Sequence, residues 1–252
     1  MAWVGKIRFP NIENRKEKMT GLFSSEGSKR MKRKMIIQFI ALLVLEGFLS
    51  GSAGAGVAMK EGRLISQKPS FTLPVTSELR LVDSFEYPGE NSKIRAYIYI
   101  NEKDRQIEQI FILQIADRTN PQAGPMTASP LQPYGEENLY LKDKIRRGEV
   151  EGDYLIQIMG WNPNASSLQS VVKKGFIIPS HLALQGQLQF IHQKEHAVSI
   201  RYSRDVNSFG LKVSEDEEKW VKDSISGSEK QAYEMFKESF LKMINSVYFG
   251  NP

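Results

Sequence analysis

The chain of 252 residues is 40% hydrophobic and 25% charged, a composition typical of globular proteins that excludes a chain disordered throughout. It contains no cysteine, which excludes disulfide bonds, thiolate metal sites and a cysteine nucleophile. The net charge of +5 is uneven: residues 1–34 carry ten Lys or Arg and three Glu, a charge of +7, which leaves −2 on the remainder. A body with that charge lacks the basic surface of a nucleic-acid-binding protein, so we expect no nucleic-acid partner.

The first 55 residues have the order of parts found in a secretory leader. Residues 1–34 are interpreted as a basic extension that ends in a signal n-region, and residues 35–55 as the apolar h-region and small-residue c-region. About thirty residues before the basic cluster is long for an n-region, so we expect translation to start at Met19 or Met31.

The apolar run of the leader favours a cleaved signal over a membrane anchor. Residues 35–49 contain Glu46 and are shorter than the roughly 20 apolar residues of a spanning helix. We expect cleavage after Ala55, which ends an Ala-Gly-Ala site, or after Ala58, and therefore a periplasmic or secreted product. The alternative is an uncleaved anchor over residues 35–49 that tethers an envelope domain to the membrane.

After the leader, residues 56–70 are interpreted as a polar linker and residues 71–252 as a single exported domain. The segments 78–87, 93–101 and 106–117 alternate apolar and polar side chains or are rich in Ile and Phe, which predicts strands. Further strands are predicted in 153–161 and 170–179, and as a hairpin of 186–192 with 197–203. The Pro-rich segment 118–135 is predicted to be a surface loop, and 136–148 to contain one or two helical turns.

The C-terminal part is predicted to be helical, because its aromatic and aliphatic residues recur at spacings of three and four: Tyr233, Phe236, Phe240, Ile244 and Val247. Ser228 and Gln231 have the spacing of a capping box for this helix. The sequence therefore predicts an α+β fold, a mostly antiparallel β-sheet with amphipathic helices packed at the C-terminal end.

Two surfaces are candidate binding sites. In the segment 93–101, Arg95, Tyr97 and Tyr99 share one face, which would form an amphipathic contact patch if it were uncovered, and a core surface if helices or another sheet covered it. Trp161 lies in a loop beside turn-forming Asn residues, where a Trp either contacts a partner or covers the core.

The stretch His192-Gln193-Lys194-Glu195-His196 matches H-x-x-E-H and resembles the zinc motif of the inverzincin peptidases. That resemblance implies His192 and His196 as metal ligands and Glu195 as the general base, on a helix. The flanking residues alternate as strands do, which instead places this stretch at the apex of a hairpin, where the two histidines do not converge as on a helix.

These observations favour a non-catalytic envelope protein without a cofactor that binds another protein, a lipid or a small ligand. A zinc-dependent hydrolase that uses the histidine stretch is the alternative class of function.

Overall fold

The computed structural model describes residues 56–148, 150–162, 164–179 and 181–250. The predicted leader, up to the proposed cleavage site after Ala55, lies outside the described residues. Within the described ranges, no helix is both long enough and apolar enough to cross a membrane.

The described residues form two α-helices and eleven strands. The helices are Ser166–Lys173 (α1) and Gly227–Asn245 (α2). The strands are Val57–Lys60 (β1), Arg63–Gln67 (β2), Ser70–Pro74 (β3), Arg80–Pro88 (β4), Ser92–Lys103 (β5), Gln106–Arg118 (β6), Leu139–Arg147 (β7), Val150–Gly160 (β8), Leu182–His192 (β9), His196–Asp205 (β10) and Tyr248–Phe249 (β11).

The strands form two antiparallel sheets. Seven strands make the large sheet in the order β4-β5-β6-β10-β9-β8-β7, and four make the small sheet in the order β1-β2-β3-β11. The mostly antiparallel α+β fold is thus confirmed, but the expectation of one sheet is wrong, since β1 to β3 and β11 form a second layer.

Tight turns with left-handed residues connect the long hairpins. Asp104 and Arg105 join β5 to β6 with φ angles of 53° and 68°, and Gln193 and Lys194 join β9 to β10 with φ angles of 52° and 59°. Positive φ angles at both turn residues match the turn to the right-handed twist of the two strands. The side chains of all four turn residues are exposed. The predicted hairpin of residues 186–192 and 197–203 is therefore present, with the predicted polar apex.

The main core lies on one face of the large sheet, called the inner face. The small sheet and α2 cover this face, with Phe71 of β3 at 5.8 Å from Phe190 of β9 in an edge-to-face ring contact. From α2, Phe236 stacks on Tyr202 of β10 at 5.5 Å. The amphipathic helix predicted at the C-terminus thus buries its aromatic side against the sheet.

The opposite, outer face of the large sheet is only partly covered. Leu168 and Val171 of α1 pack on isoleucines of β5 and β6, and Met126 of the Pro-rich segment packs on Ile94 and Ala116. This segment contains only the short 3-10 helix Pro121–Ala123. It is irregular as predicted, but it also covers part of the sheet.

Several local predictions are wrong. Residues 56–70, interpreted as a linker, form β1 and β2 and the start of β3. The helical turns predicted in 136–148 are replaced by β7, and the strand predicted in 170–179 is replaced by the end of α1 and a turn. At the C-terminal end there is one α-helix, preceded by the 3-10 helix Glu217–Trp220, and Ser226 rather than Ser228 is its N-cap residue.

Candidate functional site

The predicted contact patch on β5 is buried. Arg95, Tyr97 and Tyr99 retain 5%, 6% and 1% of their exposure, because they lie on the inner face beneath the second layer. Burial also raises the pKa of Tyr99 to about 12, with a smaller contribution from Tyr97, so its phenol stays protonated. These residues therefore belong to the interior.

Arg95 takes part in a buried polar cluster that joins the two sheets. Its Nε donates to Asp117 Oδ2 at 3.0 Å, and its Nη2 donates to the carbonyl oxygen of Lys68, just before β3. His196 Nδ1 lies 2.7 Å from Asp117 Oδ1. Burial opposes ionisation of Asp117, but the hydrogen bonds from His196 and Arg95 outweigh it and lower the pKa of this carboxyl group. The cluster therefore has a structural role between the layers.

The H-x-x-E-H stretch occupies the apex of the β9–β10 hairpin. His192 and His196 are directly opposed on neighbouring strands, with ring centroids 6.3 Å apart. Glu195 forms a two-point ion pair with Arg118. The helical geometry implied by the resemblance to zinc peptidases is thus absent from this stretch.

The described residues contain no group of three or more His, Asp or Glu side chains placed to hold a metal ion. His192 is the unusual member of the hairpin, because its Nδ1 is buried without a hydrogen-bond partner among the described residues. Its ring stacks on Phe249 of β11 at 6.1 Å. Burial, and then the nearby His196, lower the pKa of His192, so the neutral imidazole is favoured.

Trp161 follows β8 and is partly buried against the apolar cluster of the outer face. Its backbone N–H donates to the carbonyl oxygen of His181, and its indole Nε1 is buried without a partner among the described residues. This placement matches a Trp that covers the core.

A cleft of about 810 Å³, called the α2 cleft, lies between α2, the small sheet and the edge of the inner core. Arg63, Thr72, Pro74 and Tyr248 line it from the small sheet. In that sheet they alternate with the core residues of β2, β3 and β11, so they lie on the opposite face of these strands. After α2 ends, the chain turns and pairs β11 with β3, which joins the helix to the small sheet beside the cleft.

The floor of the α2 cleft is apolar. Leu79, Phe111, Tyr202 and Met243 are all buried and contribute to it. The hydroxyl of Tyr202 donates to Gln109 Oε1 at 2.8 Å, and burial raises its pKa to about 12. Tyr202 is therefore a neutral, fixed part of the floor.

The rim of the α2 cleft is cationic. Arg63 of β2 and Lys242 of α2 line it, both are exposed, and neither forms an ion pair or side-chain hydrogen bond within the described part of the chain. Thr72 Oγ1 is a buried polar atom of the lining that also has no partner there. Among the described residues that line the cleft there is no Asp, Glu or His. The arrangement suits a ligand with an apolar body and a negatively charged group.

Reasoning from the sequence missed the α2 cleft entirely. Its lining includes residues of β2, β3, β6, β10, α2 and β11, most of which are far apart in the chain. The only local signal was the amphipathic α2, whose apolar stripe predicts a buried helix but not a gap beside it.

Comparisons of this chain with protein-family models, with curated proteins and with solved structures give no match.

Proposed function

We propose that this protein is an exported, non-catalytic binding protein that holds a lipid-like ligand with an acidic head group in the α2 cleft. The observation that carries the proposal is the combination of an apolar floor with two cations, Arg63 and Lys242, that have no ion-pair partner among the described residues.

The volume of the cleft supports a small-molecule ligand. Pockets for such ligands measure about 300–1,000 Å³ and combine an apolar lining with a few polar groups that orient the ligand. Burial of an acyl chain on Leu79, Phe111 and Met243 would supply affinity through the hydrophobic effect. The cations at the rim would select a carboxylate or phosphate head group, since opposite charges attract and like charges repel.

The composition of the described lining supports binding over catalysis. No carboxylate or imidazole belongs to the described lining, and the phenol of Tyr202 is held in its protonated form. General acid–base catalysis requires a group that changes protonation near the working pH.

The ligand proposal is tested with oleate and with oleyl alcohol, its neutral analogue, in a fluorescence displacement assay. Ser239 lines the cleft from α2, so Ser239→Trp is expected to weaken the binding of both ligands by filling the space. Lys242→Glu is expected to weaken the binding of oleate at least about fivefold, because the loss of an ion pair of about 1 kcal/mol has that effect on affinity. The binding of oleyl alcohol should remain unchanged.

Lys230→Glu is the matched control, because Lys230 is an exposed lysine of the same helix that does not line the cleft. Equal binding of oleate by the wild-type protein and both cleft variants would refute the proposal.

Export is tested by the intact mass of the protein, carrying a C-terminal tag, in separate periplasmic and membrane fractions of a bacterial host. We favour cleavage after Ala55, because cleavage after Ala58 would divide β1, where Ala58 pairs with Ile65. A soluble species beginning at Gly56 is expected, and a membrane-bound species that retains residues 35–49 would contradict it.

A further inference from the structure

The outer face of the large sheet carries a guanidinium group that has no partner in the part of the chain that the structure describes. Arg201 of β10 is exposed, and its side chain forms no hydrogen bond or ion pair with any described residue. It lies opposite Ile112 of β6 and Gln187 of β9, near the centre of the sheet. Crowding by neighbouring protein atoms lowers the pKa of Arg201, and the nearby Tyr87 has the opposite, smaller effect.

The strand registers show that no acidic residue adjoins Arg201 on this face. Two of its neighbours across β6 are isoleucines. The hydrogen-bonding neighbours are neutral, namely Ser199, Ser203, Gln114, Gln185, Gln187 and Gln189. Side chains at such cross-strand and diagonal positions are within reach of one another. A single positive charge therefore sits among amide and hydroxyl groups.

Part of this polar surface is already engaged and part is available. Gln185 accepts from Gln157 and Gln187 and donates to Ser203, which fixes one side of the array. The side chains of Ser199 and Gln189, which oppose each other across β10 and β9, have no hydrogen-bond partner among the described residues.

A small depression lies beside these free groups. It has a volume of about 10 Å³ and is lined by the polar Gln114, Gln189 and Ser199 together with the apolar Ile94, Ala116, Ala197 and Val198. That volume is close to the space of one water molecule or one ligand oxygen atom. The free donors of Ser199 and Gln189 thus adjoin a position where an oxygen atom fits, and Arg201 follows Ser199 by two residues on the same face of β10.

We propose that Arg201, Ser199 and Gln189 form a second site, distinct from the α2 cleft, that binds the carboxylate group of a small polar ligand. The guanidinium fork matches the two oxygens of a carboxylate, and the adjoining amide and hydroxyl groups supply neutral hydrogen bonds to the rest of the ligand. One guanidinium group compensates the whole charge of a carboxylate, whereas it leaves the second charge of a phosphate dianion without a cationic partner.

The test follows the Arg201 Nε–H signal by NMR during titration with glucuronate, N-acetylalanine, glucose and inorganic phosphate. Glucuronate represents a sugar acid and N-acetylalanine a peptide C-terminus, so these two arms distinguish the source of the carboxylate. We expect saturable shifts with at least one of the two carboxylates, and weaker effects from glucose and phosphate.

Variants separate this site from the α2 cleft. Arg201→Gln should bind the carboxylate about tenfold less tightly, because it loses a charge-assisted hydrogen bond. It should still fold and still bind oleate, since Arg201 has no partner among the described residues to lose. Arg201→Lys keeps the charge but not the guanidinium fork, so its affinity for the carboxylate should lie between those of the wild-type protein and Arg201→Gln. Arg146→Gln, at an exposed arginine of β7, and Ser239→Trp should leave the binding of the carboxylate unchanged.

The proposal is overturned if neither carboxylate shifts the Arg201 signal, if glucose or phosphate shifts it as strongly, or if Arg201→Gln binds as well as the wild-type protein.

Discussion

At the scale of single residues, the histidines that flank the exposed turn of the β9–β10 hairpin are the most informative. The side chains of His196 and Arg95 both form hydrogen bonds with Asp117, whereas the buried Nδ1 of His192 has no hydrogen-bond partner in the described structure. Burial of an imidazole that has no acceptor for its proton disfavours the charged form of the ring. This is the physical reason that burial lowers the pKa of His192.

This lowered pKa predicts a loss of stability in mild acid. The unfolded chain takes up a proton near the ordinary value of 6.5, while the folded protein resists it to a lower pH. The contribution of His192 is therefore complete above about pH 6.5 and is lost as the pH falls from there through the folded-state pKa. The free energy of unfolding, measured with urea at pH 7.5 and pH 5.0, should fall between the two.

His192→Phe should reduce this fall, because a phenyl ring can stack on Phe249 without titrating. Gln193→Asn, at the exposed turn residue beside His192, is the control and should retain the wild-type pH dependence, because neither amide side chain titrates. Asp117 does not contribute to this fall, because a carboxyl group whose pKa is lowered from 3.8 loses its stabilising effect only at more acidic pH. An unchanged pH dependence in His192→Phe would contradict the assignment.

At the scale of elements, the wrong predictions have identifiable causes. Residues 136–148 have few apolar residues, yet β7 forms because the edge of β8 offers backbone groups that a strand can pair with. The charged side chains of β7, such as Lys144 and Arg146, are typical of a protected edge strand. In α1, the β-branched Val171 and Val172 favour a strand, but Leu168 and Val171 bury one side of a helix against the outer face.

The docking of α2 depends on a glycine in β9. A methyl carbon at Gly186 would lie 2.5 Å from Cδ2 and Cε2 of the fully buried Phe240. Gly186→Ala should therefore lower the free energy of unfolding by about 1–3 kcal/mol, as other overpacked core variants do. Urea denaturation measures this change.

Gly160→Ala, near the end of β8, is the matched control, since a methyl carbon there has no neighbour within 4 Å. It should be neutral or stabilise the protein by up to about 1 kcal/mol, because alanine restricts the unfolded chain. Equal effects of the two substitutions would show that the contact with Phe240 does not limit the docking of α2.

At the scale of the whole molecule, the second layer is what converts an open sheet into a covered core with a cleft. Residues 56–70 belong to this layer, and Leu64 of β2 is fully buried in the main core. Leu64→Ala should lower the free energy of unfolding by about 2–5 kcal/mol, through lost burial and the cavity left behind. If residues 56–70 were a linker, Leu64→Ala would leave the free energy of unfolding unchanged.

Leu81→Ala in β4 is the control for Leu64→Ala, because Leu81 is 47% exposed. Its free energy of unfolding should change by about 0.5 kcal/mol or less. Thermal unfolding followed by circular dichroism distinguishes the two variants. A small, equal effect in both would argue that the small sheet is not part of the cooperative fold.

The sequence by itself determined the antiparallel strands, the β9–β10 hairpin and the amphipathic C-terminal helix, because periodicity and turn residues are local properties of the chain. Only the tertiary structure decided that Arg95, Tyr97 and Tyr99 are covered and that residues 57–67 form strands. It also decided that Leu79, Phe111, Tyr202 and Met243 meet in one cleft. These outcomes depend on which surfaces the folded chain brings together over long sequence separations, and no local pattern encodes that choice.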